Sequence, residues 1–272
     1  MNKSAQTTIF AIACLAAMSL LPASPPALSQ TRPVSAGPAD PALIEDLVAA
    51  NRILADHGVL DGYGHISVRH NKDANRFLMA RSLAPELVTP DDILEYDLDA
   101  VAINLNGRSQ YGERYIHAEI YKARPDVMAV VHGHTPSVIP FGVSSVAMKP
   151  VYHLAGFIGE GLPVFDIRDS FGMTQMLVNQ APRGKALAQE LGDSAAVLMR
   201  GHGIAVVGTS LPIVVGRSIF IDINARIQLQ AISLGGTTKF LHPDEARLVQ
   251  EAGENAGYRR SWEMWRRQAL GK

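Results

Sequence analysis

Between residues 42 and 240 the hydrophobic positions fall into two interleaved patterns: runs of strand length, and longer stretches in which apolar residues recur at helical spacing. Leu43, Leu47, Ile53 and Leu54 mark one face of a first helix. Asp40 is placed as its N-cap before Pro41, and Gly58 is placed to stop it. Strands are predicted over 65–69, 76–80 and 93–96, followed by a helix over 113–123 that ends before Pro125. The apolar run 127–132 reads as a short buried strand. A turn of helix over 136–141, a helix over 173–191, strands over 195–199 and 204–207, and a long helix from Pro212 to about residue 234 complete the pattern. No linker or internal repeat interrupts 42–240, which predicts one α/β domain. Residues 241–272 read as a helical C-terminal extension with Trp262, Trp265 and Leu270 as its docking face.

The N-terminal stretch is of another kind. Lys3 is the one charge in the first 30 residues, the apolar run 9–21 follows it, and Ala27-Leu28-Ser29 ends a Pro/Ala/Ser stretch. This is the layout of a secretory signal over 1–29, and it predicts export, to the periplasm. An apolar run of about 13 residues is short of the roughly 20 needed to span a bilayer, so no membrane span is expected after cleavage. Residues 30–41 carry three prolines and no periodicity, and read as a lead-in to the domain.

Composition narrows the chemistry. The chain is 47% hydrophobic and 19% charged, with 25 basic and 26 acidic residues scattered along its length, so there is no electrostatic footprint for nucleic acid. Cys14 is the only cysteine, which excludes a disulfide framework and leaves histidines as the available soft metal ligands.

His132-Gly133-His134 follows the apolar run 127–131, and residues two apart on a strand share a side, so two imidazoles can converge on one point. Arg200-Gly201-His202-Gly203 places a third histidine between glycines and between two predicted strands. Three histidines with an open position form a catalytic metal layout. Glu113, opening the 113–123 helix, is the candidate acid or base, although a first-turn glutamate also suits the helix dipole. The glycine-rich stretch 61–69 contains His65, and Arg81-Ser82 puts a planar carboxylate binder beside a hydroxyl. His117 and His153 sit among apolar residues and read as packed histidines. Asp166, Arg168 and Asp169 read as a structural charge cluster.

Gly62-Tyr63-Gly64-His65-Ile66-Ser67-Val68-Arg69, the 113–117 helix start, Val130-Val131-His132-Gly133-His134 and Arg200-Gly201-His202-Gly203 together resemble the class II aldolase/adducin family over roughly 41–234. The resemblance implies a three-layer α/β/α fold around a central, mostly antiparallel sheet, and a homotetramer with its sites at subunit interfaces. It further implies a divalent metal, Zn2+ before Mn2+, Co2+ or Mg2+, held by His132, His134 and His202, with Glu113 as the acid/base residue. This chain departs from the sugar-phosphate aldolases of the family. It has His65 where they have asparagine, Arg81-Ser82 where they have Thr-Gly, and Tyr111-Gly112 where they have two serines. A phosphate grip is replaced by groups suited to a carboxylate. In the stretches 81–88, 124–127 and 151–154 the chain resembles the branch that decarboxylates hydroxy-carboxy-muconic semialdehydes and dihydroxyphthalate-type acids.

Aldol cleavage and decarboxylation of a keto acid both leave an electron pair beside a carbonyl, and a chelating metal stabilises that enolate. The expected function is a metal-dependent carbon-carbon lyase that decarboxylates a small hydroxy- or oxo-dicarboxylic acid. Glu113 would move the proton, and His65, Arg81 and Ser82 would bind the substrate. Aldol cleavage of a non-phosphorylated hydroxy-oxo acid is the second reading. A non-catalytic, adducin-like binding scaffold is the third, and three retained imidazoles with Glu113 argue against it.

Overall fold

A seven-stranded sheet organises the computed structural model, which describes residues 33–256 and 258–271. The strands are β1 (His65–Arg69), β2 (Arg76–Ala80), β3 (Ile93–Asp97), β4 (Ala129–Gly133), β5 (Val164–Phe165), β6 (Ala196–Met199) and β7 (Gly203–Gly208). They lie in the order β3-β2-β1-β4-β7-β6-β5, and every neighbouring pair is antiparallel except β5 with β6. The helices are α1 (Pro41–Asp56), α2 (Arg114–Ala123), α3 (Ile139–Val143), α4 (Ile167–Phe171), α5 (Ala181–Leu191), α6 (Leu211–Ser233), α7 (Pro243–Asn255) and α8 (Arg259–Leu270). The signal-like residues 1–29 lie outside the described residues, and among those described no helix is long and apolar enough to cross a membrane.

Helices cover both faces of the sheet. Ile66, Val68, Ala129, Val131, Leu198 and Val206 point to one side and share a core with α1, α6 and α8. Phe77, Met79, Val130, Val197, Ala205 and Val207 point to the other and pack with α2 and α5. With no solvent face, β4, β6 and β7 are apolar at nearly every position, which is why 127–131 reads as a continuous run and not an alternating one. In α6 the same double burial removes any polar stripe over its first half. Ser210 caps it, its hydroxyl accepting from the Ile213 N–H, and Pro212 sits in the first turn. Asp40 caps α1 through the Ala42 N–H, 3.0 Å away. Trp262 and Trp265 of α8 are buried in the core shared with α1 and α6, Trp265 meeting the Phe220 ring at 6.1 Å between centroids.

Two expected features differ. The helix predicted over 173–191 begins only at Ala181, because Gly172 turns left-handed (φ 63°) at the end of α4 and Pro182 opens α5. Met173 and Leu177 imitate a buried helical face in sequence but are 90% and 39% exposed. His153 is exposed, not packed.

Close backbone contacts bring the strand tips together. A Cβ on Gly203 of β7 would run into the Gly133 carbonyl oxygen of β4, and a Cβ on Gly133 would lie 2.7 Å from the Val59 oxygen. These glycines are demanded by backbone proximity. Gly203→Ala should therefore destabilise the fold by about 1–3 kcal/mol, the usual cost of forcing extra atoms into a packed site. Chemical denaturation should show a lower midpoint, and an unchanged midpoint would mean that the strands separate freely.

Candidate metal centre and active site

The two strand tips and the start of α2 meet at one point. One ligand atom from each of Glu113, His132, His134 and His202 lies within 4.8 Å of the others. His132 stands on β4 and His134 just beyond it. His202 occupies the tight turn between β6 and β7, where Gly201 is left-handed (φ 62°) and the His202 N–H donates to the Met199 carbonyl. Glu113 is the N-cap residue of α2, where the helix N-terminus favours a carboxylate.

The hydrogen bonds on the far side of each ring decide which nitrogen faces the centre. His132 Nδ1 is 3.1 Å from the Ile204 carbonyl oxygen, His202 Nδ1 is 3.1 Å from that of Met176, and His134 Nδ1 is 3.1 Å from both Asp61 carboxylate oxygens. Carbonyl and carboxylate oxygens only accept, so each Nδ1 carries the proton. Each Nε2 is then a bare lone pair. His132 Nε2 and His202 Nε2 both lie 3.5 Å from Glu113 Oε2, and His132 Nε2 is buried with no hydrogen-bond partner among the described residues. Lone pairs facing a carboxylate oxygen repel, and a divalent cation bound by the imidazoles removes the conflict. The donor set fits such an ion: three neutral imidazoles, each oriented from behind.

Glu113 is held at both ends. Its Oε1 accepts from the Val178 N–H at 2.7 Å, leaving Oε2 toward the histidines. Burial raises the carboxyl, and positive charge at its His132 and His202 edge, which neutral imidazoles leave to a bound cation, lowers it below the ordinary range. The same loop orients His202, since the Met176 carbonyl behind that ring is two residues from Val178. Met176 is left-handed without being glycine (φ 66°).

The expected substrate residues lie on the same side of the sheet. His65 pairs with His132 across β1 and β4, their rings 5.2 Å apart. Extending the β1–β2 register from Ser67 opposite Met79 puts Arg81 at the level of His65. Residues at one level of neighbouring strands share a face. The His65 ring contacts that of Tyr111 at 4.5 Å, and the Tyr111 hydroxyl donates to the Leu83 carbonyl, tying the 81–83 segment to the site wall. Arg81 is not the free fork its sequence setting suggests. Its Nε donates to Asp92 Oδ1 at 2.6 Å, which commits one edge of the guanidinium and leaves the pair of terminal nitrogens as the binding edge. Ser82 is exposed, and its N–H donates to the Ser109 carbonyl.

Sequence reasoning missed three contributors. Asp61, whose carboxylate also accepts from the Tyr63 and Gly64 N–H groups at 2.9 Å, was readable only as a turn residue. His117, taken as a packed histidine, is buried but hydrogen-bonded to His65 Nδ1 at 2.7 Å and to Ser67 Oγ at 2.6 Å. Burial lowers its pKa to about 3, and that of His65 is also well below the ordinary value. Its place four residues after Glu113, on the same face of α2, is the signal that could have found it. The 173–180 loop was hidden inside the predicted helix.

The family model for the class II aldolase and adducin N-terminal domain matches residues 45–229, and the chain belongs to that family. Among curated relatives, the decarboxylase tropJ of Talaromyces stipitatus is 34% identical over 248 residues, covering 83% of this chain and 93% of its own. A 3,4-dihydroxyphthalate decarboxylase of Arthrobacter keyseri is 28% identical, covering 80% of this chain and 90% of its own. Among solved structures, an aldolase II superfamily protein from Pseudomonas syringae superposes with a TM-score of 0.70 at 22% identity, over 85% of this chain and 94% of that one.

His132→Ala and His202→Ala should each abolish tight binding of a divalent ion, as measured by competition with a chromogenic chelator. Asp61→Asn, which removes the carboxylate behind His134, should weaken binding by about 10- to 100-fold. Unchanged affinity in all three proteins would remove the histidines from the ligand set.

Proposed function

We propose that this chain decarboxylates a small hydroxy- or oxo-dicarboxylic acid, with Zn2+ held by His132, His134 and His202 and with Glu113 as the acid/base residue. It is a carbon-carbon lyase. The observation that carries the reading is the convergence of one buried carboxylate oxygen with two imidazole nitrogens at 3.5 Å, each nitrogen left without a proton by the bond behind its ring. The decarboxylase relatives support the choice of reaction.

Loss of CO2 leaves an electron pair on carbon, and a bound divalent ion supplies positive charge against which that pair is left. Glu113 handles the proton. Its Oε2 takes a proton from the substrate hydroxyl and returns it to the carbon that loses CO2, and the oxyanion this leaves on the product regains a proton from solvent. The Val178 N–H keeps Oε1 fixed while Oε2 does this. The terminal edge of Arg81 holds a substrate carboxylate, Ser82 adds a hydroxyl at the rim, and His65 meets a second substrate oxygen.

The proposal extends to an exported, periplasmic homotetramer. Export rests on the pattern over 1–29. Assembly rests on the family resemblance and on exposed apolar side chains around the site, Tyr63 (78% exposed), Val143 at the end of α3, Met173 and Leu177, which a second copy would cover.

The deciding experiment incubates Zn2+-loaded protein with a panel of hydroxy-oxo acids and follows CO2 and aldehyde separately. CO2 without aldehyde is expected, whereas aldehyde alone would assign aldol cleavage. Glu113→Gln should keep the metal and lose about 10²- to 10⁴-fold in turnover, the usual contribution of a positioned proton carrier. Activity within a few-fold of wild type would exclude it. Arg81→Lys should slow dicarboxylates by roughly 10- to 150-fold, the worth of a charge-assisted contact, and spare analogues lacking that carboxylate. Equal losses on both would make Arg81 structural.

A further inference from the structure

Behind His65 runs a buried chain of hydrogen bonds that the reaction above does not use. Glu113, His117 and Tyr121 recur every four residues along one face of α2, against the sheet. The Tyr121 hydroxyl is 2.8 Å from Ser67 Oγ, Ser67 Oγ is 2.6 Å from His117 Nδ1, and His117 Nε2 is 2.7 Å from His65 Nδ1. His65, Ser67, His117 and Tyr121 are all buried. Buried donors and acceptors must be matched, so the chain has a direction.

Its end decides which. Burial pushes the Tyr121 hydroxyl up, so it keeps its proton, and among the described residues Ser67 Oγ is its hydrogen-bond partner. Tyr121 therefore donates to Ser67, Ser67 to His117 Nδ1, and His117 Nε2–H to His65 Nδ1. The reverse order strands the tyrosine proton without an acceptor. A ring that accepts at Nδ1 is neutral and carries its proton on Nε2. That edge lies away from His117, and the other rings around His65 are Tyr111 and His132.

We infer that the Tyr121–Ser67–His117 chain fixes His65 as an Nε2–H donor into the site, so that this position selects substrates presenting a hydrogen-bond acceptor there, a carboxylate, phenolate or carbonyl oxygen, and rejects those presenting a donor. The inference rests on the reading of His65 as a substrate-binding residue. It deepens that reading by adding His117, Ser67 and Tyr121 as positioning residues. A fixed donor differs from an ordinary histidine, whose ring can exchange donor for acceptor by moving its proton.

Long-range proton–nitrogen NMR correlations of histidine rings, recorded on metal-free and Zn2+-loaded protein, read the tautomer directly and need no turnover. His65 should be the Nε2–H form in both. Tyr121→Phe should remove the lock and give a mixed or Nδ1–H ring, with Ser67→Ala as a second variant breaking the same chain. An Nδ1–H ring in the wild type, or an unchanged Nε2–H ring in both variants, would overturn the inference. With an active substrate, Tyr121→Phe should raise KM about 10-fold while leaving kcat within two- to threefold, and only for acids with the accepting oxygen. A KM that rises equally for analogues lacking that oxygen would also overturn it. Should no acid be decarboxylated, the proposed reaction fails while the tautomer measurement still decides this inference.

Discussion

Keeping a carboxylate and three imidazoles within 4.8 Å of one another, mostly out of water, is the constraint around which this fold is built. Each group taken singly would be costly to bury, and together they are tolerable only because every one is held from behind by a specific partner. Ile204, Met176 and Asp61 hold the rings, and Val178 holds the carboxylate. None of these anchors belongs to the element that carries the group it fixes. The centre therefore exists only when β4, the β6–β7 turn, the start of α2 and the loop before α5 are all in place, and the large apolar cores on either side of the sheet serve to put them there.

The seam between α2 and β1 does comparable work with polar atoms. His65, Ser67 and Arg69 alternate along β1 and all face the helix. His65 and Ser67 bond to His117 and Tyr121, while Arg69 donates to the carbonyl oxygens of Tyr121 and Arg124 at the helix C-terminus, where a cation suits the dipole. The helix is thus fixed in register along its length. Since Glu113 stands at its other end, this register also sets where the carboxylate falls.

What was legible from the sequence and what was not divides along physical lines. Continuous apolar runs and capping residues such as Asp40 mark the central strands and α1, because local pattern and tertiary burial agree there. His132, His134, His202 and Glu113 stood out because glycines and strand ends frame them. Residues whose role depends on a distant backbone atom left no such mark. Met176 acts through its carbonyl and Val178 through its N–H, so their side chains say nothing of it, and the apolar spacing of Met173 and Leu177 disguised the loop as helix. Arg81 was visible as a cation, but its pairing with Asp92, across the turn from β2 to β3, was not.

The loop before α5 ties two side chains of the centre to one short piece of backbone. Met176 steers His202 and Val178 steers Glu113, so any displacement of the loop moves both side chains together. The two side chains cannot be repositioned through this loop in small independent steps, because a change that shifts one disturbs the other. The segment after β2 is under no such double obligation. Diversification of substrate within this architecture should accumulate around Arg81, Ser82 and Leu83, while the backbone path through 176–178 stays fixed.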